Sequence, residues 1–206
     1  VLNDGVNEGR RSFANIMKYI IMGTSSNFGN MFSMAAASLF LPFLPMLPTQ
    51  ILLNNFLSDI PAMGIGADNV DRNWEHTPHR WNIKLIRNFM IVFGLISVVF
   101  DLLTFGVLLY FAGEVEEIFR TGWFVESLLT ELLVALVVRT RRPCYQSRPA
   151  TSLLVITAVV MAVALVLPYS PLSGLFEFVP LPAHLLLSLV QFKSLHDILR
   201  LRVKMI

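Results

Sequence analysis

Apolar residues gather into six stretches, at approximately 28–47, 49–65, 89–112, 123–138, 152–167 and 181–199, and the connections between them hold most of the charge. A membrane-crossing helix needs about 20 apolar residues, with a range of about 17–25. The first and third stretches meet that length in full. The second, fourth and fifth are short, and the last contains Lys193 and His196. Ahead of the first stretch, Glu8, Phe13, Ile16, Met17, Ile20 and Ile21 recur at helical spacing, which predicts a stalk over 1–24 leading directly into the first span.

Charge decides the topology. Arg10, Arg11 and Lys18 precede the first stretch; Arg72, Arg80, Lys84 and Arg87 fill the second connection; Arg139, Arg141, Arg142 and Arg148 fill the fourth; Arg200, Arg202 and Lys204 end the chain. The first and fifth connections carry no Lys or Arg, and the third has Arg120 beside Glu114, Glu116 and Glu117. Under the positive-inside rule this alternation places both termini in the cytoplasm, with three hairpins facing outward. The expected fold is therefore an all-α membrane protein, a six-helix transmembrane bundle with a cytoplasmic N-terminal stalk, forming one domain over 1–206.

Composition agrees. The 206 residues are 55% hydrophobic and 15% charged, with a mean hydropathy of +0.64, whereas soluble domains carry roughly 25% charged residues. A formal charge of +2 gives no reason to expect a nucleic-acid partner. Cys144 is the one cysteine, which excludes an internal disulfide and a cysteine-rich metal cluster. The polar start, NDGVNEGRRSFANIMK, has the wrong order for a cleaved signal peptide. Because the chain starts on valine within helical spacing, it reads as the tail of a longer protein.

The chemistry concentrates in LLNNFLSDIPAMGIGADNVD, residues 52–71. Asn54, Asn55, Ser58 and Asp59 interrupt an apolar segment just before Pro61. A carboxylate at membrane depth costs at least ~2.5–3.5 kcal/mol on insertion scales, so it marks a functional site by default. Pro61 lacks the amide that would bond the Leu57 carbonyl, leaving that oxygen available. An acid, amides, a hydroxyl and a bare carbonyl suit a hard cation. Asp101 in the third stretch fits either a ligand or a structural pair. Of the two acids in the fourth, Glu131 is the better ligand candidate, and Glu126 falls on another face. His76 and His79 are separated by Pro78, and neither they nor His184 and His196 have zinc-site spacing. Trp74, Trp81 and Trp123 fit membrane-interface or lipid-facing roles.

SSNFGN (25–30), FLPFLPMLPTQILLNNFLSDIPA (40–62) and GADNVD (66–71) together resemble P-type cation ATPases. With Phe100–Asp101, TGWF (121–124) and YSPL (169–172), the style is similar to the bacterial magnesium-transporting branch. The likeness covers essentially the whole chain and implies helices five to ten of such a pump. In the related calcium pumps an asparagine-x-x-threonine-aspartate pattern in the sixth helix holds ions, and it maps onto Asn55, Ser58 and Asp59. The fifth helix there supplies an asparagine and a glutamate, at Asn27 and Asn30 here, and the eighth a glutamate, near Glu131. Asn30 in place of the glutamate removes a charge, which implies fewer cations per cycle or a cation that keeps part of its water. Magnesium sheds water reluctantly.

The resemblance further implies a multi-pass protein of the cell (inner) membrane, with the lipid bilayer as partner and a divalent cation as cargo. It also implies actuator, phosphorylation and nucleotide domains in the same parent chain, where Mg2+ acts with ATP. The 206 residues contain no Asp-Lys-Thr-Gly, no Thr-Gly-Glu and no P-loop, so no catalytic residue is expected among them. NDGVNE (3–8) looks like the family's GDGVND hinge but continues as stalk. The proline-broken fourth helix of the family is also missing, so half of a transport site is expected. The alternatives are a secondary ion- or proton-coupled transporter using Asp59 and Asp101, a calcium-type pump, and a structural role in which the buried acids merely pair helices.

Overall fold

The computed structural model describes residues 2–70, 80–113, 115–140, 149–183 and 185–186. Asp71, Arg72, Trp74, Cys144, all four histidines and the final apolar stretch from 187 onward lie outside the described residues. The described residues are helical: α1 (Leu2–Ala37), α2 (Pro48–Gly64), α3 (Ile83–Ala112), α4 (Glu116–Val138) and α5 (Thr151–Val166), with 3-10 turns at Ile65–Ala67, Leu167–Tyr169 and Ser173–Phe176. The stretch Ile83–Phe111 and the stretch Thr151–Tyr169 are each long and apolar enough to cross a membrane.

At about 1.5 Å per residue, α1 with its 36 residues is ~54 Å long, well beyond the ~30 Å of a hydrocarbon core. It ends at Ala37, although apolar character continues to Leu47. Pro42, Pro45 and Pro48 explain the break, since each lacks an amide and turns the preceding residue away from helix. The last turn tightens, with Leu39 N–H bonded to Ala36 O at 3.1 Å and Phe40 N–H to Ala37 O at 3.0 Å. Pro48 then opens α2, where a missing amide costs nothing. Gln50, wholly buried, ties the entry down: Leu47 N–H donates to its Oε1 at 3.0 Å, and its Nε2 donates to Phe176 O at 2.7 Å.

The fourth helix is the hub. Phe119, Trp123, Phe124, Leu128 and Leu132 are almost wholly buried, and α1, α2, α3 and α5 all pack on it. Phe105 of α3 meets Phe119 at 5.4 Å and Trp123 edge-on at 4.8 Å between ring centroids. At the end near the α1–α2 connection, Arg120 Nε donates to Leu44 O at 3.0 Å while its guanidinium pairs with Glu116 at 2.6 Å. Against α1, small residues let α3 approach closely. A Cβ on Gly29 would sit 3.0 Å from Ser97 Cβ, and one on Gly94 would overlap the Phe28 ring. The buried Ser33 hydroxyl, one turn beyond Gly29, donates to the Asp101 carboxylate.

Candidate cation site

A cavity of about 230 Å³ lies among these helices. Ser25, Ser26, Asn27 and Asn30 line it from α1, and Asn55, Ser58 and Asp59 from α2. Ser97 and Asp101 come from α3, and Ser127, Thr130 and Glu131 from α4. Thus Asn27, Asn30, Asn55, Ser58, Asp59, Asp101 and Glu131, singled out along the sequence, share one wall. Helix periodicity explains the convergence: Ser26 and Asn30, Ser97 and Asp101, and Ser127 and Glu131 are each four residues apart, so each pair lies on one face of its helix.

The polar groups are not equivalent. Asp101 is buried and engaged by Ser33. Asp59 and Asn27 are exposed, so the cavity opens beside them. Ser58 Oγ donates to Asn55 O at 3.1 Å within its own helix. Ser127 Oγ donates to Asn30 Oδ1 at 3.3 Å, bridging α1 and α4. Glu131 Oε2 is buried without a hydrogen-bond partner, and Ser26, Asn30, Ser58 and Asp59 line the same cavity. Pro61 lies on the same wall, inside α2, which continues past it to Gly64. Among the described residues no three His, Cys, Asp or Glu side chains gather to hold a metal. The wall offers mostly amide and hydroxyl oxygens around three acids, Asp59, Glu131 and the Ser33-engaged Asp101.

Glu126 is not on that wall; it is buried and accepts from Thr130 Oγ1 at 2.8 Å. Asn54 is also off that wall; it is buried, and its Oδ1 is unpartnered. Sequence reasoning passed over Ser25, Ser26, Ser97, Ser127 and Thr130. Ser26, Ser97, Ser127 and Thr130 carried a signal, as polar residues one turn away from, or adjacent to, acids and amides, whereas Ser25 did not.

Below the cavity a second polar cluster joins four elements around Asp68, whose side chain is fully buried. Its carboxylate accepts from Lys18 Nζ of α1 at 2.9 Å, from Arg139 beside α4 at 2.9 and 3.2 Å, and from the Ala150 N–H ahead of α5 at 3.0 Å. Asn15 adds bonds to Gly66 O at 3.0 Å and Asp68 O at 3.1 Å. Burial by itself would raise the Asp68 pKa, but the Lys18 and Ala150 hydrogen bonds, the Lys18 charge and Arg139 outweigh it and hold the group below its ordinary 3.8.

Residues 43–205 match the family described as "Cation transporting ATPase, C-terminus". The chain is 46% identical over 187 residues to "Magnesium-transporting ATPase, P-type 1" of Salmonella typhimurium (strain LT2) and, at the same identity, to that of Escherichia coli (strain K12); the match covers 88% of this chain and 21% of each relative. It is 27% identical over 187 residues to a "Calcium-transporting ATPase" of Bacillus subtilis (strain 168), covering 86% of this chain and 21% of that protein. The chain therefore spans about a fifth of the length of the curated relatives it matches.

Proposed function

Given that the chain belongs to the cation-transporting ATPases, matching their C-terminal region, we propose that its helices are the ion-translocating part of an ATP-driven magnesium pump. One observation carries the reading of the cavity: a buried, unpartnered carboxylate oxygen of Glu131 on a wall shared with Asp59 and a set of amide and hydroxyl groups. An anionic oxygen in such surroundings is costly without a compensating partner, and a cation supplies one. Asp59 and Glu131 give charge; Asn27, Asn55 and Ser58 give neutral oxygens; Asp101 borders the site from α3, and Asn30 completes the wall beside Glu131. With one water occupying about 30 Å³ of liquid, a cavity of about 230 Å³ accommodates an ion with several waters. That suits Mg2+, which usually retains part of its shell. The choice of magnesium as cargo rests on the names of the relatives.

The surrounding frame is a six-span bundle in the cell (inner) membrane, with a stalk and both termini in the cytoplasm. Support comes from the alternation of basic connections and the length of α1. Large apolar side chains left open, such as Met31 (72%), Leu52 (70%), Phe56 (65%) and Met63 (72%), also fit a lipid surround. Actuator, phosphorylation and nucleotide domains of the parent chain supply the ATP step, with Mg2+ bound to the nucleotide. Lys18 on α1 grips Asp68, whose other partners are at the ends of α4 and α5. A displacement of the stalk therefore reaches three other elements.

The test is Asp59→Asn in the full-length pump. Cation-stimulated phosphorylation by ATP should be lost while phosphorylation by inorganic phosphate, which needs no cargo, is retained. Unimpaired cation stimulation would reject the cavity as the transport site.

A further inference from the structure

The cavity has two unlike ends. Asn27, Asn30, Asn55, Asp59 and Glu131 gather at one. Toward the other the lining turns apolar, with Tyr19 and Gly23 on α1, Ile65 after α2, Leu136 on α4 and Leu153 on α5. From Asn30 back to Tyr19, and from Asn55 on to Ile65, the lining extends ~15 Å by the ordinary helical rise. The apolar end abuts the Asp68 cluster from every side. Lys18 precedes Tyr19, Asp68 follows Ile65 by three residues, Arg139 follows Leu136 by three, and Ala150 precedes Leu153 by three. The four segments that line this end are thus the four that one carboxylate joins, through Lys18 Nζ at 2.9 Å, Arg139 Nη1 at 2.9 Å and the Ala150 N–H at 3.0 Å. Asn15, one turn before Lys18, adds its bond to Gly66 O at 3.0 Å.

The polar end is closed differently. Trp123 is one turn from Ser127 and Phe105 one turn from Asp101; both are buried, and their rings meet at 4.8 Å. Packed rings that part lose those contacts outright. An ion can exchange a protein partner for water wherever water reaches it, and the Lys18 side chain, 13% exposed, is such a place. We infer that the Asp68 cluster is a gate: it draws α1, the turn after α2, α4 and α5 together across the apolar end of the cavity, and release of Lys18 opens that end to water. The apolar lining offers a cation no charged ligand, so this end is a passage and not a second binding position. In the proposed topology it faces the cytoplasm. The inference rests on the cation reading only for what the cavity carries; the closure itself does not.

Thiol labelling of the full-length pump in detergent tests it, with Cys144→Ser and every other cysteine of the parent chain removed. Gly23→Cys puts the probe at the apolar end, where a Cβ meets nothing within 4 Å. Ala37→Cys puts a control in the core beyond the polar end, at a position 1% exposed. Lys18→Met leaves Asp68 its bonds to Arg139 and Ala150, so the most buried pair stays intact. A charged methanethiosulfonate should modify Gly23→Cys about tenfold faster in the Lys18→Met background, the weight of a hydrogen bond to a charged group. Lys18→Arg should restore the slow rate, and Ala37→Cys should react equally slowly in all three backgrounds. An unchanged Gly23→Cys rate would mean that water enters only beside Asp59, and would overturn the gate. Equal acceleration at both cysteines would mean general loosening and would overturn it as well. A pump whose cation stimulation survives Asp59→Asn would defeat the cavity as the transport site, while the labelling ratio would still decide the gate.

Discussion

Asp68→Asn tests a buried electrostatic dependence that joins four elements. In the wild type one carboxylate, fully buried, answers both Arg139, whose side chain is 1% exposed, and Lys18, whose side chain is 13% exposed. Neutralising it removes the charge that faces the guanidinium, in a place water does not reach. Removing one member of a buried pair costs about 3–5 kcal/mol, and most of that belongs to Arg139. Lys18 has some access to water and keeps its bond to Asn69 O at 2.8 Å, so it adds little. Unfolding in mixed detergent–SDS micelles, followed by tryptophan fluorescence, measures the difference. Adding Arg139→Met should recover at least half of the loss, because it removes the buried charge that the carboxylate no longer offsets. The pH dependence has a defined sign. The folded-state pKa lies below 3.8, so this stabilisation is fully present above about 3.8 and fades as pH falls through the lower folded value. Asp68→Asn should abolish that acid-side decline. A variant within ~0.5 kcal/mol of wild type, the scale of an ordinary surface change, would refute the reasoning, and so would a double variant whose two losses simply add.

Two further outcomes follow from the packing and the site. Glu131→Gln removes a buried carboxylate oxygen that lacks a partner, so stability in EDTA should be unchanged or higher while Mg2+ affinity drops by more than about tenfold; a loss of stability with affinity intact would mean a structural acid. Gly94→Ala should destabilise by about 1–3 kcal/mol through overpacking against Phe28, and Phe28→Leu should relieve it; chemical denaturation of the single and double variants reads both, and no relief would place the strain elsewhere.

What was legible in the sequence was what one helix decides alone. Asn55, Ser58 and Asp59 fall within about one turn, so their joint approach to a ligand follows from the 3.6-residue period without knowledge of any neighbour. The five described helices likewise follow from runs of apolar residues, and the proline series 42, 45 and 48 carried the break that ends α1 at Ala37. It was hidden in the apolar stretch 28–47 because hydropathy does not distinguish a proline-broken turn from a helix. The likeness to the family's motifs supplied Asn27 and Asn30, and set Glu131, already the better acid of its stretch, beside Asp59.

Asp68 shows the other side. In the sequence it is one acid in a polar connection, with Lys18 fifty residues before it and Arg139 seventy-one after it. Nothing local distinguishes it from a solvated charge. Its burial, its paired bases and its lowered pKa exist because α1, α4 and α5 bring their polar groups to the same level around the turn after α2. The partition of Glu126 from Glu131 is of mixed origin: Glu126 meets Thr130 one turn on in its own helix, whereas the cavity beside Glu131 exists only because other helices pack there. Periodicity along a chain fixes which side chains share a face, whereas what that face meets depends on contacts between segments far apart in sequence, which packing alone selects.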